Sequence, residues 1–213
     1  MTDPVFLYQD QRLLVANKPA GLLTVGADAP SLEHALAEHG LRARPVHRLD
    51  RDVSGCVVCA LDGETRARLE ELFREQRVRK SYWALVQGAP SVERGKWHAP
   101  ILEERGFARV SARGKPALTH YRVVRRLGAV TELEIELVTG RMNQIRVHAA
   151  HAGHALVGET KYAERKRDPL RAPRLALHAR TVAFPHPWTR EPLEVEAPLP
   201  GELLALCEAA EEA

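Results

Sequence analysis

Apolar and polar residues alternate in short runs along the start of the chain, the period of a half-buried strand. Val5–Tyr8 and Arg12–Ala16 predict two such strands, and the turn NKPAGL follows, where Pro19 and Gly21 break the pattern. Ser31 is placed to cap a short helix, LEHALAEHG, which stops at Gly40. RARPVHRLDRDVSG has no apolar period and predicts a long polar loop, while CVVCAL predicts a short buried strand. ETRARLEELFREQ sets Leu69, Leu72 and Phe73 on one helical face. KSYWALVQG returns to alternation and ends at Gly88.

The middle of the chain is strand-rich. ALTHYRVVRRL and VTELEIELVTG alternate on either side of Gly128 and predict a hairpin or meander. RMNQIRVHAAHAG predicts a helix ended by Gly153. A basic, proline-containing loop, a strand RLALHARTVAF, a short strand LEVEAPLP and a helix after Pro200 and Gly201 complete the pattern. No repeat, low-complexity linker or shift in composition divides the chain. A single α+β domain over residues 1–213, with a mixed, mostly antiparallel sheet flanked by helices and loops, accounts for these elements.

Composition narrows the class. Hydrophobic residues make up 45 % and charged residues 28 % of 213 positions, an ordinary globular balance with enough length to bury a core. No run is long and apolar enough to span a membrane, so no membrane partner is expected. The N-terminus lacks the basic and apolar regions of a signal peptide, and the cytoplasm is the expected compartment. The cysteines, Cys56, Cys59 and Cys207, are too few for a disulfide scaffold. Net charge is +3, but the basic residues gather in RARPVHRLDR, FREQRVRK, RGKPALTHYRVVRR and KYAERKRDPLRAPR, whereas Glu202, Glu208, Glu211 and Glu212 collect at the C-terminus. Such segregation suits a face for a phosphate backbone, and it equally suits solvated loops and helix faces.

The loop PVHRLDRDVSG concentrates His47, Arg48, Asp50, Arg51, Asp52 and Ser54 between apolar elements, the setting in which active-site residues are often held. Local physics does not rank Asp50 against Asp52, and a surface loop with local ion pairs is the competing account. Cys56 and Cys59 imitate a redox or zinc half-site, but there is no second pair for zinc and the residues open no helix. Two buried small hydrophobes are the better account. His148, His151 and His154 imitate a metal cluster, yet the third drifts off the helical face and no HExxH acid accompanies them. No metal is expected.

The motif HRLDRDVSG, preceded by NKPAGL and followed by KSYWALV, LVTGRMNQIRVH and LHARTVAFPHP, resembles the RluA family of pseudouridine synthases. The resemblance runs in order from about Leu7 to Pro198. FREQRVRKSYWALV and GKPALTHY are most like the short members typified by RluA itself, so no N-terminal S4-type domain is expected. The resemblance implies that Asp50 is the catalytic carboxylate, that Tyr82 stacks on the target base, and that Arg146 pairs with the carboxylate. Arg48 matches the residue that enters the RNA stack as the uridine leaves it. His47, Gly55, Gly140, Arg141, Gln144 and His148 complete the motifs as scaffold or RNA-contacting positions. The implied reaction breaks the glycosidic bond of a uridine in structured RNA, rotates the base and rejoins it through carbon, with no cofactor. The implied substrate is a stem-loop of large-subunit ribosomal RNA, of transfer RNA, or both, and the expected state is a monomer. A catalytically silent RNA-binding protein of the same fold is the alternative.

Two departures stand out against that pattern. Val53 occupies a position where members commonly have Thr, which removes a hydroxyl. Met142 and Asn143 replace a frequent Thr-His or Ser-His pair. Both leave the implied catalytic set intact and bear on how the RNA is placed.

Overall fold

The computed structural model describes residues 5–26, 29–163 and 168–212; residues 164–167, part of the last basic segment, lie outside the described residues. The chain forms two compact units, one of Met1–Lys80 with Ala179–Pro198 and one of Ser81–His178 with Leu199–Ala213.

In the first unit, β1 (Val5–Gln9) pairs antiparallel with β2 (Leu13–Lys18), and β2 pairs antiparallel with β4 (Ser54–Ala60). A two-residue strand, β3 (Arg44–Pro45), interrupts the predicted polar loop by pairing with the far end of β4. Every residue of β4 is buried, because its two faces are both covered. Helix α1 (Leu32–Glu38) begins where the sequence predicts, with the Ser31 hydroxyl accepting from His34 N at 3.3 Å. Helix α2 (Gly63–Arg74) is capped by Asp62, which accepts from Thr65 N at 2.8 Å. Its Leu69 and Leu72 pack with Leu13, Val15 and Val58, and with Val182 and Phe184 of β11 (Leu177–Pro185) and Val195 of β12 (Pro192–Glu196). The buried apolar face predicted from its period is thus the face that meets the sheet.

In the second unit, β10 (Val130–Leu137) lies between β5 (Arg79–Gln87) and β9 (Leu118–Leu127), and β6 (Arg94–His98) pairs with the other side of β9, all antiparallel. The hairpin predicted at Gly128 is present, with Gly128 at φ +55°. Helix α4 (Gly201–Glu211) buries Leu203, Leu206, Cys207 and Ala210 against Trp83, Leu85, Leu127 and Val130. A hairpin of β7 (Ile101–Glu104) and β8 (Phe107–Val110) turns at Arg105 and Gly106. Its Ile101 and Ala108 meet Val147 of α3 (Gln144–His151).

Strands β6, β7 and β8 were not legible as strands in the sequence. In β6 the apolar alternation reduces to Trp97 among Arg94, Lys96 and His98, and backbone pairing to β9 makes the strand. Helix α3 starts three residues later than RMN suggests, because Asn143 takes the left-handed conformation at φ +53°. Its short polar side chain tolerates that conformation better than most residues do.

Candidate active site

The first unit supplies the loop between β3 and β4. Strand β4 enters it at Gly55, which is at φ +117° and has no room for a side chain: a Cβ there would meet Ala179 O of β11 at 2.1 Å. The motif glycine therefore permits a close approach of two backbones. The loop is braced from outside. The ammonium of Lys18, fully buried, donates to Pro19 O at 2.8 Å, Leu22 O at 2.7 Å and Arg51 O at 3.2 Å. Gly21 N donates to Arg51 O at 2.8 Å, and Arg51 Nε returns a bond to Gly21 O at 2.9 Å. The Thr24 hydroxyl donates to Leu49 O and accepts from Leu49 N, both at 3.0 Å. The NKPAGL turn is thus a clamp on the motif loop, a function that its Pro and Gly content did not reveal.

Within the loop, Val53 N donates to Asp50 O at 3.1 Å, so the backbone turns tightly just after the proposed carboxylate. Asp50 is half-buried, Arg48 and Asp52 are exposed, and Val53 is buried. An apolar side chain suits that last site, which is the packing counterpart of the lost hydroxyl. His47 accepts from Val58 N through Nε2 at 3.0 Å and stacks near Phe73 with ring centroids 5.0 Å apart. Burial, with Lys80 adding to it, pulls its pKa down to about 3, so the ring is neutral and its accepting nitrogen is committed to β4. This geometry fits the scaffold role for His47.

The second unit supplies the other implied residues. Tyr82 lies on β5 opposite Ile135 of β10 and is 8 % exposed. Gln144 starts α3 with both ends of its amide engaged. Its Oε1 accepts from the Thr139 hydroxyl at 2.8 Å and Arg141 N at 3.0 Å; its Nε2 donates to Leu118 O and to Thr119 Oγ1, each at 3.0 Å. His148 is 1 % exposed, and its Nε2 lies 2.9 Å from the carbonyl of Ala99. A carbonyl only accepts, so Nε2 carries the proton and Nδ1 accepts from the Thr119 hydroxyl at 2.9 Å. Burial lowers the pKa of His148, consistent with that neutral tautomer. A directed relay, Gln144 to Thr119 to His148 to Ala99, therefore ties α3 to the sheet. Gln144 and His148 serve here as scaffold with their polar atoms turned inward. Arg141 is half-buried and donates through Nε to Pro116 O at 3.1 Å.

Arg146 lies in α3 with its side chain 8 % exposed, and sequence reasoning missed the residue that holds it. Glu159, whose side chain is 1 % exposed, accepts from Arg146 Nε at 2.8 Å and from Nη2 at 2.7 Å. Glu159 Oε1 also accepts from Lys161 N at 2.8 Å and Tyr162 N at 3.3 Å. Burial pushes its pKa up, but Arg146 and those backbone N–H groups outweigh burial and leave it lowered, so the carboxylate stays charged. The Tyr162 ring caps the guanidinium with 5.4 Å between Cζ and the ring centre. The Tyr162 hydroxyl accepts from Asn143 Nδ2 at 2.7 Å, which gives the departure at Asn143 a local task. Nothing in the segment GETKYA marks Glu159 beyond a carboxylate in a loop.

The decoys are accounted for. Burial pushes the Cys56 thiol up to about 12 and raises Cys59 as well, leaving two unreactive buried thiols in β4. His151 is exposed, His154 approaches Gln87 O at 3.1 Å through Nδ1, and among the described residues no group of three His, Cys, Asp or Glu could hold a metal ion.

The profile of the RNA pseudouridylate synthase family matches residues 12–151. The large-subunit ribosomal pseudouridine synthase C of Vibrio vulnificus is 36 % identical over 211 residues, covering 94 % of this chain and 67 % of that protein. The protein of the same name in Escherichia coli K12 is 37 % identical over 214 residues, covering 92 % of this chain and 66 % of its own length. The chain thus spans about two thirds of the length of these curated relatives. The solved structure of human RNA Pseudouridylate Synthase Domain Containing 4 superposes with a TM-score of 0.82 at 26 % identity, covering 97 % of this chain and 92 % of that one. Human RNA Pseudouridylate Synthase Domain Containing 1 gives 0.80 at 28 % identity, with 92 % and 84 % covered.

Proposed function

This chain belongs to the RNA pseudouridylate synthase family, and from that premise we propose that it isomerises uridine to pseudouridine in a stem-loop of large-subunit ribosomal RNA. The relatives from Vibrio vulnificus and Escherichia coli carry the large ribosomal subunit in their names, which supports this reading, and transfer RNA is the second substrate to test. The observation that carries the reading is the bracing of the Asp50 loop. Lys18, Thr24 and the Gly21–Arg51 pair fix its backbone on one side, and β4 fixes it on the other. A carboxylate that must meet a reacting carbon needs such preorganisation, and a loop that served only for docking does not.

In this reading Asp50 acts as the nucleophile or base on the target nucleoside. Arg146 keeps it ionised in a site that excludes water. A stacked uridine must be flipped out at a cost of a few kcal/mol, and stacking on Tyr82 returns about 1–3 kcal/mol. The exposed Arg48 fills the gap left in the RNA stack, and phosphate contacts from the basic segments supply salt-dependent affinity. The protein works as a cytoplasmic monomer without a cofactor.

The test is pseudouridine mapping of ribosomal and transfer RNA from cells carrying the wild-type gene, no gene, or Asp50→Asn. The expected result is one or a few sites lost without the gene and not restored by Asp50→Asn, although the variant still binds RNA within a few-fold. Asp52→Asn restores them. Turnover by Asp50→Asn overturns the assignment, and RNA binding without any site that depends on the gene favours the silent RNA-binding alternative.

A further inference from the structure

The guanidinium of Arg146 presents two edges, and one of them is occupied from within the second unit. Glu159 takes Nε and Nη2 in a bidentate pair, the geometry that fixes both the position and the plane of an arginine fork. The carboxylate cannot swing away, since Lys161 N and Tyr162 N hold the same oxygen. The guanidinium cannot tilt freely, since the Tyr162 ring lies over it. That ring is fixed in turn, with its hydroxyl accepting from Asn143 Nδ2 at 2.7 Å and Ala108 N at 3.3 Å. Asn143 immediately precedes α3, and Ala108 sits in β8. The stretch 159–162, Asn143 at the start of α3 and Ala108 of β8 therefore converge on the orientation of one side chain.

We propose that Glu159 is the positioning residue of the reaction, with Tyr162 as its brace, and that it acts through Arg146 without touching RNA. The inference rests on the reading that Arg146 assists the catalytic carboxylate. A buried ion pair is an inefficient way to gain stability, because both charges lose their hydration. A carboxylate spent on one side of the fork does serve to point the other side. Glu159 also balances the buried charge of Arg146, so a loss of Glu159 alters both the aim of the guanidinium and the net charge around it. A misplacement of about 1 Å at such a group costs about 100-fold in rate.

The experiment is a double-mutant cycle on the full chain, read as single-turnover rate at saturating RNA, with RNA affinity and melting temperature measured on every protein. Glu159→Gln is expected to slow the rate about 100-fold with RNA affinity within two-fold of wild type. Glu159→Asp keeps the charge with one methylene less reach, and is expected to recover about ten-fold of that loss. Arg146→Ala is expected to be slow, and adding Glu159→Gln to it to cost nothing further, because the residue acts through a partner already gone. Rates are taken on the folded fraction, so a variant that only unfolds keeps its wild-type rate per folded molecule and overturns the proposal. If Glu159→Gln does not fold, Tyr162→Leu replaces it in the cycle with the same expected non-additivity. A slow Arg146→Ala beside a fast Glu159→Gln overturns the proposal alone. A fast Arg146→Ala overturns the role of Arg146 and this inference with it.

Discussion

The two units hold their proposed functional residues by different means. In the first, the loop bearing Asp50 is gripped by its main chain: Lys18, Thr24 and Gly21 all bond to carbonyls or N–H groups of Leu49 and Arg51. In the second, Arg146 and the start of α3 are gripped by side chains: Gln144, Thr119 and His148 form one relay, and Glu159 with Tyr162 forms another anchor. A main-chain clamp sets where a loop runs and tolerates a change of side chain within it. A side-chain network sets how one group points and tolerates little.

The largest effect should come from the centre of the main-chain clamp. Lys18→Met leaves the carbonyls of Pro19, Leu22 and Arg51 without their buried donor, and is expected to cost about 3 kcal/mol. Urea denaturation checks this, and a loss under 1 kcal/mol would mean the clamp is not what holds the loop. Acidification comes next. The folded pKa of His47 is depressed to about 3, below its unfolded value near 6.5, so its contribution to stability is complete above 6.5. That contribution falls as pH drops towards 3, on the order of 2 kcal/mol by pH 5. His148 adds in the same direction. His47→Gln keeps an acceptor for Val58 N and should flatten the decline of melting temperature between pH 7 and pH 5; an unchanged decline would assign it to other groups.

Two hydroxyls then compare the units directly. Thr119→Val breaks the relay in the middle, leaving buried Gln144 and His148 each short of a partner, and is expected to cost about 2 kcal/mol. Thr24→Val removes the paired bonds to Leu49 and is expected to cost about 1 kcal/mol, with a larger fall in turnover than in stability. If Thr24→Val proves the costlier in stability and spares turnover, the contrast between the two kinds of grip is reversed.

Much of this was legible in the sequence, and the reasons differ by residue. Helix α2 was readable because Leu69 and Leu72 recur at the helical period, and β9 and β10 because they alternate around Gly128. Strands β6, β7 and β8 were not, since each is short and buries only one residue, Trp97, Ile101 and Ala108 in turn, too few to set up an alternation. Asp50, Tyr82 and Arg146 came from ordered motifs, which record residue types at fixed places in the chain. Their supports did not. Glu159 follows Arg146 by thirteen positions, and Thr119 precedes His148 by twenty-nine, so their partnerships exist only once the chain has folded. Lys18 was visible as a motif letter, but nothing in the sequence says that an ammonium will be fully buried among carbonyls.

The order in which the units use the chain has a consequence for synthesis. The first unit is closed by residues far downstream: Val182, Phe184, Val195 and Ala197 complete the core on which β4 and α2 rest. On a ribosome, which delivers the N-terminus first, the segment bearing Asp50 emerges well before the strands that finish its support. The second unit waits in the same way for α4, whose Leu203 and Leu206 are made after the strands they cover. The nascent protein should therefore carry the Asp50 loop in an immature form until the downstream strands that support it have been made.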